Sequence, residues 1–118
     1  MGVVACVKTV DPDTGVAVYQ WPGMVLNDTG EPISIPHYAD RSVQVKGTFG
    51  VAGKCTIQGS NDISGTPVYA TLNDPQGNVL EITAAKIEQV LEMAFLMRPS
   101  IVAGDGTTAL DVTMLARR

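Results

Sequence analysis

A chain of 118 residues and 12.4 kDa fits one domain around one hydrophobic core, because compact domains most often have about 100–150 residues. Apolar residues at 45% against 17% charged exclude a disordered chain, which lacks the buried surface to offset its ordering entropy. A formal net charge of -4 excludes general attraction to nucleic-acid phosphate, and no apolar run approaches the roughly 20 residues that a membrane-spanning helix needs.

The start, "MGVVACVKTVDPDTG", has no basic segment before an apolar run, so the expected origin is cytosolic. It resembles a myristoylation signal, but Cys6 stands where Ser or Thr is required, and lipidation is not expected. Residues 3–10 read as a strand, closed by "DPDTG", where Pro12 fixes φ and Gly15 permits a positive one. "VAVYQW" (16–21) returns from it, which predicts a hairpin. Residues 22–40 hold Pro22, Pro32 and Pro36, enough to keep them off any central strand, and read as a long surface excursion.

"RSVQVKGTF" (41–49) alternates, with Val43, Val45, Gly47 and Phe49 on one face and Gln44, Lys46 and Thr48 on the other. "GVAG" then leads into "KCTIQGS" (54–60), with Cys55 and Ile57 inward, and the two strands read as a second hairpin. "VYATL" (68–72) and "NVLEIT" (78–83) flank the Asp-Pro turn "NDPQGN". Residues 85–97 fit two periods. Ile87, Val90, Leu91, Ala94 and Phe95 have helical spacing, while Ile87, Gln89, Leu91, Met93 and Phe95 alternate as in a strand. Pro99 disfavours α conformation at Arg98, so "RPSIVAG" is extended in either case. The last strand, 107–115, places Leu110, Val112 and Met114 on one face. The pattern predicts an all-β fold, an antiparallel β-sandwich of about eight strands, jelly-roll-like, with a long Pro-rich loop.

No catalytic constellation is visible. His37, Tyr38 and Asp40 lie close in sequence, but no nucleophile motif accompanies them, and no enzymatic activity is expected. Cys6 and Cys55 read as two buried thiols, and with one histidine there is no zinc spacing. Asp62 in "GSNDISG" and Asp105 in "AGDGTT" are the acids a calcium ion would use, yet such turns carry Asp, Asn and Gly for their own backbone, and neither metal nor cofactor is expected. Trp21 reads either as an interface anchor or as a core residue. The excursion has too much apolar character for idle solvent, so Trp21, Pro22, Met24, Ile33, Ile35, His37 and Tyr38 are the expected protein-contact residues. Arg98, set between "FLM" and "PSIV", is expected to pair with a carboxylate, Asp40 or Asp111, with Asp40 taken as the partner.

The segments "CTIQGSND", "TLNDPQGN" and "GDGTTALDVTMLARR", in that order over residues 40–118, resemble the head decoration (cement) proteins of tailed bacteriophages. That resemblance implies an all-β sandwich, and with it a strand reading for residues 87–102. It also implies a protein made in the host cytoplasm and seated on the virion surface with the major capsid protein as partner; a homo-oligomer, dimer or trimer, is expected because closed symmetry is the common outcome. A neck or tail component of the virion fits the same residues. The strand ending in Gly-Ser-Asn-Asp is also similar to the discoidin-type jelly roll, which implies a carbohydrate-binding module; here Ile63 and Ser64 stand where that pattern has Gly and an aromatic.

Overall fold

The computed structural model describes residues 2–118. Eleven strands and no helix occur among them: β1 (Val3–Val4), β2 (Val7–Val10), β3 (Ala17–Met24), β4 (Thr29–Gly30), β5 (Asp40–Thr48), β6 (Lys54–Ser60), β7 (Ala70–Thr71), β8 (Glu81–Ile82), β9 (Lys86–Gln89), β10 (Leu96–Ala103) and β11 (Ala109–Arg117). One sheet has the order β1-β4-β10-β6-β7, with β8 also on β6; the other has the order β2-β3-β11-β5-β9. The all-β sandwich read from the alternating side chains is present. One pair departs from antiparallel: β1 runs parallel to β4. The ambiguous segment 85–97 contains no helix: it is strand β9, an irregular stretch over 90–95 and the start of β10, so the strand reading of 87–102 holds at 87–89 and from 96 onward but not between them.

The core forms where the alternations of the two sheets meet. Tyr19 and Trp21 of β3, Val43 and Val45 of β5, and Val112 and Met114 of β11 face Cys55, Ile57, Met97 and Ile101 from the other sheet, all buried. Burying each of the larger ones is worth about 1.5–3 kcal/mol.

Expected β2–β3 pairing is found, with Val7 opposite Gln20 and Val10 opposite Ala17. Two expectations need correction. Residues 3–10 are not one strand: the chain crosses from one sheet to the other at Ala5 and Cys6, where the Cys6 N–H donates to Glu31 Oε1 at 2.9 Å. Nor do residues 41–49 and 54–60 form a hairpin, because β5 and β6 belong to different sheets. The link between them turns a corner, with Gly50 and Ala52 at positive φ, and bonds instead to the other link that crosses the layers. Thr108 Oγ1 donates to the Phe49 carbonyl at 2.8 Å, and the Val51 N–H donates to Asp105 Oδ2 at 2.8 Å.

The prolines sit where the ladder has a gap. Pro22 lies inside β3, at a bulge that sets two residues of β3 opposite Asp111 of β11; Gly23 supplies a φ of 66° there and donates its N–H to Asp111 Oδ1 at 2.8 Å. Pro99 lies inside β10, a strand with neighbours on both sides. The N–H groups of Met97 and Ile101 point to the Asp28–Ile33 segment, so a donor at 99 would face Gly30. The ring fills that gap: a Cβ on Gly30 would fall 2.6 Å from Pro99 Cδ.

Candidate protein-contact surface

Five of the seven residues expected to reach a partner are spent inside the molecule. Trp21 and Met24 are 0% exposed, and Ile33, Ile35 and Tyr38 are buried with them. The 22–40 excursion lies back on the sandwich: Ile33 and Met97 exchange both backbone hydrogen bonds at 2.9 Å, and Trp21 Nε1 donates to the Glu31 carbonyl at 3.0 Å. Of the set, Pro22 and His37 remain exposed, the imidazole tilted against the Tyr38 ring at 4.4 Å between centroids.

The expected ion pair between Asp40 and Arg98 is absent, because the two residues stand in different sheets. Asp40 Oδ2 accepts from Arg117 Nε at 3.0 Å, its register partner across β5 and β11. Arg98 Nε donates to Gln58 Oε1 at 2.9 Å across β10 and β6, and its guanidinium lies 3.8 Å over the Tyr69 ring. Asp111, the other acid considered, is the acceptor for Gly23.

The turn chemistry is accounted for in the same way. Asp62 takes the Ser64 N–H at 2.9 Å and the Val68 N–H at 3.1 Å, bonds that hold its carboxyl below the usual range. Asp105 takes the Thr107 hydroxyl at 2.6 Å, the Val51 N–H and the Thr107 N–H at 2.8 Å, and its pKa falls to about 2. Both acids organise loops. Among the described residues no group of three or more His, Cys, Asp or Glu is placed to hold a metal. Cys55 is fully buried, which pushes its thiol up to about 12, and Cys6 is half-buried, with burial raising it to about 11; both are free thiols.

A different segment presents apolar side chains to solvent. From β9 onward Ile87, Leu91, Met93 and Phe95 are 62%, 53%, 64% and 42% exposed, while Val90 and Ala94 between them are buried. Residues 90–95 have no ladder of their own, and side chains hold them instead. Arg41, 3% exposed, donates from Nη2 to the Glu92 carbonyl at 2.8 Å and the Leu91 carbonyl at 3.3 Å, and from Nη1 to the Tyr38 carbonyl at 2.6 Å. Asn61 Oδ1 accepts the Phe95 N–H at 2.8 Å, and the Glu92 carboxylate accepts the Asn73 N–H. The Arg41 guanidinium forms no ion pair among the described residues, and burial pushes its pKa down from its ordinary value. The result is a backbone held in place that presents Leu, Met and Phe side chains as an exposed ridge. With the backbone already ordered, contact costs only side-chain entropy, and Met and Phe are enriched at protein interfaces. Beside the ridge, a shallow cavity of about 400 Å³ is lined by Ile87, Gln89, Ser42 and Leu115, with Asp40, Arg41 and Arg117 around it.

The alternation of Ile87, Leu91, Met93 and Phe95 was visible in the sequence. It gives a common face but not which side of the sheet that face sees.

No family model matches the chain, and no curated protein matches it. Among solved structures it is similar to the crystal structure of the SPBc2 prophage-derived protein YomS, with a TM-score of 0.57 over 86% of this chain and 93% of that one, at 10% sequence identity. At that identity the likeness shows a shared fold.

Proposed function

We propose that this protein is a non-enzymatic structural component of a tailed-phage particle, most consistent with a decoration protein that binds the major capsid lattice from outside. The observation that carries the reading is the exposed Leu91, Met93 and Phe95 ridge, its backbone held by Arg41, on a sandwich whose acidic loop residues are occupied by their own backbone. Support comes from two further directions: the resemblance of residues 40–118 to decoration proteins, and a fold shared with a protein that is itself prophage-derived. A capsid offers many equivalent sites, and a self-associating copy that engages several of them at once raises the effective concentration of each contact, which gives a small apolar surface more weight.

The carbohydrate-module alternative needs exposed aromatic platforms. Trp21, Tyr19 and Tyr38 are buried and Tyr69 lies under Arg98, which leaves Phe95 of the ridge, a single half-exposed ring, where a sugar platform would use several. The test is location. Particles of the phage that carries this sequence are purified, heads and tails are separated on a gradient, and the chain is quantified in each. Many copies in the head fraction, removable without loss of the shell, support decoration. Recovery with tails moves the protein to the neck or tail, and absence from both overturns a virion role.

A further inference from the structure

We propose that two copies of this chain pair through β9, edge to edge and antiparallel about a two-fold axis at Ile87, joining their five-stranded sheets into one. This goes beyond the capsid reading and does not depend on it. β9 ends its sheet, with β5 on one side and, among the described residues, no strand paired on the other. The Val90 N–H donates to the Arg41 carbonyl at 3.0 Å, and β9 and β5 run antiparallel without a register shift, from Ser42 opposite Gln89 to Val45 opposite Lys86. In such a ladder alternate residues turn their backbone to the partner strand. Lys86 and Glu88 therefore bond inward to β5, and Ile87 and Gln89 offer N–H and C=O groups at the open edge.

An antiparallel copy centred on Ile87 exchanges both backbone bonds between Ile87 and Ile87 of the partner subunit. It also sets Lys86 opposite Glu88 of the partner subunit, and Glu88 opposite Lys86 of the partner subunit. These flanking positions are the non-hydrogen-bonded pairs of the new ladder, where side chains approach most closely. Within one copy Lys86 Nζ and Glu88 Oε1 are already 3.1 Å apart, on the face that carries Val43 and Val45, and both are partly exposed. Ile87, 62% exposed, lies on the opposite face beside Gln44 and would be covered across the axis.

The charges choose this arrangement over its competitors. A parallel in-register pairing would set Lys86 beside the same lysine, and a two-residue slip loses both ion pairs. Edge strands are usually guarded by lysine, by proline or by brevity. β1 and β7, at the ends of the other sheet, have two residues each, and β2 carries Lys8 with no acid to answer it. β9 alone among these edges has a lysine and a glutamate spaced so that a two-fold axis matches them.

Sedimentation of the purified chain over a concentration series tests the pairing. The wild type is expected to dimerise, and Lys86→Glu and Glu88→Lys are each expected to weaken the dimer by roughly tenfold or more, through two like-charge contacts. The double exchange, Lys86→Glu with Glu88→Lys, restores it, and an equimolar mixture of the two single variants forms a heterodimer. Circular dichroism verifies that each variant is folded. A wild type that stays monomeric at the highest concentration, single variants that dimerise unchanged, or a double exchange that fails to restore the dimer overturns the proposal.

Discussion

Arg41 Nη2 and the Glu92 carbonyl oxygen are 2.8 Å apart, and through this bond a buried residue of β5 holds the backbone beneath the exposed Met93 and Leu91. The same guanidinium holds the Tyr38 carbonyl. It thereby joins the returning 22–40 segment to the ridge, two stretches that have no ladder in common.

Removing that fork leaves a buried carbonyl at Tyr38 and two partly buried ones at Leu91 and Glu92 without their donor. Arg41→Met is expected to lower stability by about 3 kcal/mol. Arg41→Lys recovers only part, because one ammonium cannot reach both sides as a planar guanidinium does. Urea unfolding measures both, and equal midpoints for wild type and Arg41→Met would refute the role.

Trp21 is 0% exposed and its indole N–H is bonded to Glu31, so it belongs to the core and not to a contact. Its fluorescence is expected to be blue-shifted and barely quenched by iodide in the native protein. Trp21→Ala is expected to cost about 3–5 kcal/mol. Strong quenching of the native protein would place the ring outside.

Asp105 gives the acid limb of stability. Its folded pKa, about 2, lies below the ordinary 3.8, because the Thr107 hydroxyl and the Val51 and Thr107 N–H groups favour the carboxylate. A group depressed on folding contributes fully above its unfolded value and loses that contribution as pH falls through the folded one. Stability should therefore drop from about pH 4 towards pH 2. Asp105→Asn removes part of that slope, which thermal melts at several pH values will read; an identical slope in both proteins would contradict the assignment.

Gly30 is required for space. A Cβ there would sit 2.6 Å from Pro99 Cδ and 2.7 Å from Trp21 Cδ1, both in packed rings. Gly30→Ala is expected to destabilise by about 1–3 kcal/mol through overpacking. Differential scanning calorimetry checks this, and an unchanged melting temperature would show that the rings can move aside.

Alternation made the strands legible: Val43 and Val45, Cys55 and Ile57, and Leu110, Val112 and Met114 all face the core as the sequence pattern requires. Their assignment to sheets was not legible. "GVAG" serves a hairpin or a corner equally well, and only the bonds from Val51 to Asp105 and from Thr108 to Phe49 make it a corner. Pro22 seemed to end a strand, but a bulge at Gly23 carries β3 on to Met24 and draws the excursion into the core. The contact residues were misplaced for that reason. Apolar side chains in a Pro-rich segment have the same composition whether they meet a partner or their own sheet. Asp40 and Arg98 were paired by chemical type, and their partners depended on a register that local sequence does not encode.

On this reading the ridge, and not the 22–40 segment, meets the partner. Binding of the purified chain to phage heads lacking it, measured by co-sedimentation, tests this with two variants: Met93→Glu with Phe95→Ser, and Pro22→Ala with His37→Ala. The ridge variant is expected to lose affinity by about tenfold or more while staying folded, and the second to bind as wild type. Full binding by the ridge variant, with loss in the other, would contradict that reading.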